Sequence, residues 1–458
     1  MTDSRTGAEE RKVLMVSYYY PPVGGTASRR ITKLAKYLPE FGWSPTVLTV
    51  TRDSSYWLRG DASEGELPGV KVIRAPFPDL VNWGLYILAK CFILRSHRPR
   101  VEYFSVDMET DANGLQDRIV RWLKRWANRW ASFPDRYFLW FPFALARGLL
   151  ELRSVPYEAI LSSYPPWTNH LVAGILHRLT GLPWVADFRD PWTQCPLWER
   201  SKLQLWIEKK IEKRLVAGAS AIVTVTEPIL DMLKEFHGEK PGGFVCITNG
   251  YDPGDFIGLT GGELERFTMT YTGSLSGRDP TALAEVVEEL IAEGIIGPDD
   301  IRIRFYGLVN TALEKLCQSL EHPEIIEIKG MVSNRESLAR QKESTALLVF
   351  VGDHPYSAKV LTGKVFEYMG SKRPVLAWAP CGGTLVDLLD RTGAGFAATD
   401  RGELKDTLRQ WIDEFQRTGR LSYGGVDVEI ERHSWKQLGR RYANILNGMA
   451  DPGATKDG

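Results

Sequence analysis

Several marks of large protein classes are missing from this chain. Its 458 residues hold five cysteines (Cys91, Cys195, Cys246, Cys317 and Cys381), odd in number, far apart and without a CxxC pair. Such spacing supports neither a disulfide framework nor a zinc knuckle, and it fits a reducing compartment. An excess of one charge is absent too: Lys plus Arg is 57 and Asp plus Glu is 57. No global basic field exists for nucleic acid, and no nucleic-acid partner is expected. Long hydrophobic runs are also lacking. The longest, around 80–94 and 137–152, reach roughly 15 residues and carry Lys90, Pro142 or Arg147, short of the roughly 20 that a bilayer requires. The opening MTDSRTGAEERK is polar, without a signal-peptide core, so the expected location is cytoplasmic. There is no GxGxxG, which removes the usual argument for a dinucleotide enzyme, and no DxD closes a strand, so no divalent metal and no cofactor are expected.

What is present is a composition close to the globular average, 43% hydrophobic and 25% charged, which excludes bulk disorder. Short β-branched or aromatic runs predict strands at 13–17, 45–50, 70–74, 159–163, 184–188, 221–225 and 244–248. Helical patterns at 28–41, 168–180, 203–216 and 228–236 lie between them. After a Gly-rich stretch at 253–265 the alternation restarts, with strands at 268–272, 301–306, 325–329, 346–351 and 374–378. Helices are expected between these as well, at 281–292, 311–320, 334–343 and 364–370. This is the grammar of parallel sheets with crossover helices. The fold class is therefore α/β, with two Rossmann-like, doubly wound domains facing a cleft. The expected boundaries are 1–255 for the first domain, 256–430 for the second, and 431–458 for a helix and tail that cross back to the first. In open sheets of this kind ligands bind at the carboxyl ends of the strands.

The segment 80–150 breaks the alternation. Within it Trp122, Trp126 and Trp130 recur at helical i, i+4 spacing among Arg118, Arg121, Lys124, Arg125 and Arg129. Such a face suits the lipid headgroup boundary. It equally suits a tryptophan stripe packed on the first domain with solvated charges.

Several strand-to-helix turns carry candidate chemistry. Gly24 and Gly25 follow the first strand and precede a helix, where backbone amides approach a phosphate or sugar. Gly273 and Ser274 stand in a second such turn, YTGSLSGR, in which Arg278 offers a fork for phosphate oxygens. Thr362, Gly363 and Lys364 open a further helix, so amides, helix dipole and ammonium converge near one point. Together these two turns predict a diphosphate site, although Arg278 and Lys364 taken singly read as well as solvated charges. One turn later Glu367 is placed to accept hydrogen bonds from vicinal ribose hydroxyls. On the first domain, Asp187, Arg189 and Asp190 pack two carboxylates and a guanidinium at a strand end. Asp190 or Asp187 is the candidate for the acceptor hydroxyl and Arg189 for an orienting or phosphate role, with a structural ion pair as the alternative. Ser163, Tyr164 and His170 are candidate acceptor-side residues.

Taken together, KVLMVSYYYPPVGGTASRR, SSYPPWTNHLVA, PWVADFRDPW, ITNGYD, YTGSL and TGKVFEYMGSKRPVLA resemble glycosyltransferase family 4, over about residues 11–448. The resemblance implies a GT-B fold. It also implies retaining transfer of a sugar from a nucleoside diphosphate sugar to an acceptor on the first domain. It assigns Gly24 and Gly25 to the loop facing donor and acceptor, Gly273, Arg278 and Lys364 to the pyrophosphate, Glu367 to the ribose, and the backbone around Met331 and Val332 to the base. One position departs: the first glutamate of the family's pair falls at Lys359, which leaves the sugar contact unassigned, with Asp353 and His354 just upstream as candidate substitutes. A saccharide or lipid-linked saccharide acceptor, in polysaccharide or glycoconjugate assembly at the inner face of a membrane, is the expected substrate. A nucleotide-sugar epimerase of the same fold and an inactive binding protein are the rival readings.

Overall fold

A computed structural model describes residues 10–22, 26–51, 65–78, 135, 137–198, 200–240, 243–262 and 264–450. Trp122, Trp126, Trp130, Gly24 and Gly25 lie outside the described residues. Seven parallel strands form the first sheet: β1 (Arg11–Val16), β2 (Trp43–Val50), β3 (Lys71–Ala75), β4 (Ala159–Tyr164), β5 (Trp184–Phe188), β6 (Ala221–Thr224) and β7 (Phe244–Cys246). Their order is β3-β2-β1-β4-β5-β6-β7. Six more form the second sheet: β8 (Phe267–Thr272), β9 (Ile301–Tyr306), β10 (Ile326–Gly330), β11 (Ala346–Phe350), β12 (Val375–Trp378) and β13 (Gly395–Ala398), in the order β10-β9-β8-β11-β12-β13. All pairings are parallel. Each sheet therefore has a switch point, between β1 and β4 and between β8 and β11, where a crevice opens at the carboxyl ends.

The strands sit this way because both of their faces are buried. Along β1, Leu14 and Val16 enter one core while Val13 and Met15 enter the core on the other side. Helices α1 (Thr26–Tyr37), α2 (Phe141–Ser154), α3 (Thr168–Thr180), α4 (Lys202–Val216) and α5 (Glu227–His237) accompany the first sheet. Within the segment that breaks the sequence alternation, 141–154 forms the crossover helix α2. Just ahead of it, Trp140 is fully buried and donates its Nε1 hydrogen to the Ala75 carbonyl at 3.3 Å. This tryptophan belongs to the core.

The second sheet is covered by α6 (Thr281–Ala292), α7 (Thr311–Ser319), α8 (Asn334–Lys342), α9 (Gly363–Ser371), α10 (Thr384–Thr392) and α11 (Arg401–Thr418). After the short α12 (Asp427–Glu431), the last helix α13 (Trp435–Ala450) leaves this domain. Trp435, Leu438, Tyr442 and Leu446 pack with Val13, Met15, Ile31 and Leu34 of the first domain. At the linker, Asp252 accepts hydrogen bonds from Tyr37 at 2.6 Å, Lys33 at 2.8 Å and Lys36 at 2.5 Å. Burial alone would raise this carboxyl, but the two lysines and the phenol hold it down at about 2. Among the described residues no helix is long and apolar enough to cross a membrane.

Candidate functional site

In the second domain β8 ends at Thr272, and Gly273 turns the chain at φ +110°. A Cβ there would lie 2.8 Å from Nζ of Lys364, so glycine is needed both for the turn and for the approach of the lysine. Gly307, which follows β9 at φ +125°, is stacked on the Gly273 backbone in the same way. Lys364 occupies the first turn of α9 and donates to the Tyr271 hydroxyl at 2.6 Å and to the Ser274 carbonyl at 3.2 Å. Arg278 closes over the same turn, donating to the Phe350 carbonyl at 3.1 Å and to the Ser274 carbonyl at 3.3 Å. Among the described residues neither cation meets a carboxylate. Burial, and then the neighbouring guanidinium of Arg278, push the Lys364 amine down to about 7. Thr362 caps α9 without a side-chain hydrogen bond; the Val365 amide turns back to the Thr362 carbonyl at 3.3 Å, and the Gly363 and Lys364 amides ahead of it have no capping side chain.

Around this turn the strand ends are tied side by side. The Gly273 amide donates to the Tyr306 carbonyl at 2.6 Å, and the Gly307 amide donates to that of Gly330 at 2.7 Å. Next to them a pocket of about 380 Å³ is lined by Arg304, Tyr306, Lys329, Val332, Glu336 and Arg340. Val332 thus lies two strand ends away from the cationic turn. Glu367, one helical turn beyond Lys364, is ion-paired with Arg29 of α1, across the cleft. Lys359 turns away from the cradle. Its carbonyl accepts from Thr226 at 2.8 Å, and its ammonium lies 3.9 Å from the Met232 sulfur on α5. Asp353 is exposed, and His354 caps its own turn by accepting from the Tyr356 amide at 3.0 Å.

In the first domain the structure separates residues that the sequence groups. Asp187 is fully buried, and both of its oxygens are occupied. Arg30 donates to them from Nε at 2.9 Å and from its second terminal nitrogen at 3.0 Å. Tyr442 donates at 2.8 Å and Ser163 at 2.9 Å. Asp187 and Ser163 therefore leave the set of acceptor-side candidates: their polar atoms close a structural knot. His170 leaves it as well, since it is fully buried with Nδ1 2.7 Å from the Ser162 hydroxyl, and burial drives its imidazole down to about 3. Tyr164 is buried too, its ring stacked 6.0 Å from that of His170.

Asp190 is placed differently. It is half-buried beyond the end of β5, and burial raises its carboxyl even though Arg189 beside it acts in the opposite sense. Arg189 donates to the Tyr164 carbonyl at 3.2 Å. From the second domain Tyr356 approaches this corner, and its phenol is raised by burial and then by Cys195 and Asp190. Asp190 thus stands where the two domains meet. Sequence reasoning missed Arg29, Arg30, Tyr271, Gly307 and Tyr442. The dipeptide Arg29-Arg30 was visible directly behind the Gly24-Gly25 turn, but nothing local indicated which arginine reaches which carboxylate.

No protein-family model and no curated protein matches the chain. Solved structures match it over nearly its whole length. Sucrose-phosphate synthase from Thermosynechococcus elongatus is similar over 97% of this chain and 100% of its own, at 13% identity and a TM-score of 0.60. A glycosyltransferase from Rickettsia africae aligns over 96% and 99%, at 13% identity and a TM-score of 0.59. Anabaena HepE in complex with UDP and glucose aligns over 96% and 100%, at 13% identity and a TM-score of 0.57. At such identity the likeness carries the fold alone. The chain has the two-domain GT-B fold, as the sequence resemblance implied.

Proposed function

We propose that the chain is a retaining, hexosyltransferase-type glycosyltransferase of the family 4 kind. It moves a sugar from a nucleoside diphosphate sugar to a saccharide or lipid-linked saccharide, without a divalent metal, at the cytoplasmic face of a membrane. The observation that carries the reading is the pair Lys364 and Arg278, half-buried together at a glycine turn with no carboxylate among the described residues to balance them. A pyrophosphate supplies the missing charge, and the open amides of α9 add donors to it. Solved neighbours support the substrate class: HepE is described in complex with UDP-glucose, and WaaB as a lipopolysaccharide outer core galactosyltransferase.

In this reading the diphosphate lies on Lys364, Arg278 and the Gly273 turn, the ribose reaches Glu367, and the base lies toward Val332. The bond from the anomeric carbon to the leaving phosphate oxygen breaks, and a bond to the acceptor oxygen forms on the same face. The acceptor proton passes to the departing diphosphate. Negative charge grows on that diphosphate as the bond breaks, so cations fixed beforehand in a partly dry turn stabilise the transition state more than the ground state. Asp190, beside Arg189 at the domain junction, orients the acceptor hydroxyl.

Thermal unfolding against UDP, GDP, ADP, CMP and dTDP tests the donor site, with Lys364→Ala and Glu367→Ala beside the wild type. Stabilisation by one nucleotide, lost in Lys364→Ala and weakened in Glu367→Ala, is expected. The matching sugar nucleotide is then offered with and without saccharide acceptors. Release of an altered free sugar nucleotide without acceptor would support an epimerase instead, and no stabilisation by any nucleotide would support an inactive binding protein.

A further inference from the structure

Helix α4 carries five basic residues, Lys202, Lys209, Lys210, Lys213 and Arg214, and two acidic ones, Glu208 and Glu212. The acids are turned inward. Glu208 is ion-paired with Arg200 at 2.8 Å, and Glu212 accepts from the Thr193 hydroxyl and lies 3.2 Å from His237 Nε2. At 100° per residue the seven exposed positions of α4 cover an arc of about 140°. They are the five basic residues together with Leu203 and Trp206, which are 63% and 56% exposed. Among the described residues none of the five cations has a carboxylate partner. One of them, Lys210, has its ammonium 3.6 Å from the centre of the Trp206 ring.

A solvated helix face looks different in this same protein. On α11, Arg401, Lys405 and Arg409 are each paired with Glu285 or Glu289 of α6 or with Glu293, which caps that helix. The α4 face has the opposite design: charge of one sign, without a carboxylate partner among the described residues, around two large apolar side chains, in a chain whose net charge is zero. Immediately before the helix, Leu197 and Trp198 are also exposed. The Trp198 ring lies 6.3 Å from that of Tyr164, at the carboxyl edge of the first sheet near Asp190.

We propose that this surface, the outward face of α4 with Leu197 and Trp198, docks the protein on an anionic lipid bilayer. Lysines and the arginine meet anionic headgroups while Trp206, Leu203, Trp198 and Leu197 enter the headgroup boundary. A polyanion in solution would use the cations but would leave the apolar side chains in water, so the mixture favours a lipid surface. The docked face adjoins the acceptor side of the cleft, which places a lipid-linked acceptor beside Asp190. Only that last purpose rests on the transferase reading. The surface itself is tested without donor or acceptor.

The full chain is floated with vesicles of equal parts phosphatidylcholine and phosphatidylglycerol, and with phosphatidylcholine alone. It should float with the anionic vesicles only, and less as salt is raised. Each basic residue strengthens such partitioning about fivefold, so Lys202→Glu/Lys209→Glu/Lys213→Glu should weaken it about 100-fold or more. Leu203→Ser/Trp206→Ser should weaken it about tenfold and reduce quenching of tryptophan fluorescence by brominated lipid to the part that Trp198 supplies. All of these positions are exposed, so thermal unfolding and its nucleotide response should match the wild type, which separates a failure of docking from a failure of the donor site. The proposal is overturned if the wild type does not float. It is also overturned if both α4 variants float like the wild type while Trp122→Ser/Trp126→Ser/Trp130→Ser does not. Retention on poly(U) that equals vesicle binding and is untouched by Leu203→Ser/Trp206→Ser would mark the face as a nucleic-acid surface instead.

Discussion

Each domain holds a cation at the carboxyl end of its sheet, fully buried in the first and half-buried in the second, and the two are treated in opposite ways. Arg30 in the first domain is locked on both oxygens of Asp187, on the Ile247 and Thr248 carbonyls and on Tyr442, joining α1, β5 and α13. Burial disfavours its charge, but Asp187 and Tyr442 outweigh that and hold the guanidinium above its ordinary range. Lys364 in the second domain has one phenol and one carbonyl, a like charge beside it, and an amine pushed down to about 7. A buried charge whose partners are all supplied by the chain is part of the architecture. One that the chain leaves short of a counter-charge is a place for the charge of a ligand.

The sharpest way to break this contrast is Asp187→Asn. The substitution keeps the shape but leaves Arg30 buried without a counter-ion, and should cost about 3–5 kcal/mol in urea unfolding. If the variant instead unfolds like the wild type and loses only transfer, Asp187 is catalytic and the contrast is wrong. Lys364→Met tests the other side. Unliganded stability should hold or rise near neutral pH, since the charged amine is disfavoured there. Binding of the nucleoside diphosphate should fall about 30- to 100-fold, the loss of a charge-assisted contact of about 2–3 kcal/mol.

The pH dependence has a definite sign. The folded pKa of Lys364 lies below the unfolded one, so the free protein holds fewer protons than the unfolded chain between about 7 and 10.5, and this term makes stability rise with pH across that window. A bound diphosphate needs the ammonium, so affinity should fall as pH rises above about 7 in the wild type, and that component should vanish in Lys364→Met. Calorimetric titration with the sugar nucleotide at several pH values measures it. His170 supplies a purely structural control. Its folded pKa of about 3 lies below the ordinary value of 6.5, so its contribution is present above 6.5 and is lost as pH falls. From pH 6.5 to 5 that loss is about 2 kcal/mol, and His170→Leu should flatten this part of the urea midpoint curve.

The same contrast explains what could be read from the sequence. Strands such as 13–16 were legible because burial on both faces demands continuous apolar runs, and the turn before Lys364 was legible because glycine, threonine and lysine opening a helix have a local meaning. The Arg30 knot was not, since its partners lie 157 and 412 residues away and only the closed tertiary fold brings them together. Asp187 and Asp190 looked equivalent because they share a strand end. What separates them is which one the last helix reaches. Similarly, KLQLWIEKKIEKRLV reads as a helix of mixed charge until the inward orientation of Glu208 and Glu212 leaves its cations unmatched.

The smallest expected effect concerns an ion pair that joins the two regions, Arg29 with Glu367. Both side chains are partly exposed, so the pair contributes little stability, on the order of 0.5–1 kcal/mol. If Glu367 receives the ribose hydroxyls, nucleotide binding has to open the pair, and Arg29 competes with the ligand. Arg29→Ala should then tighten nucleoside diphosphate binding about two- to fivefold, and should leave inorganic pyrophosphate, which has no ribose, unaffected. A loss of affinity for both ligands would instead make Arg29 a third cation of the cradle, contributed by the first domain. That outcome would redraw the contrast, because the charge that Lys364 and Arg278 await would then be gripped from both sides of the cleft.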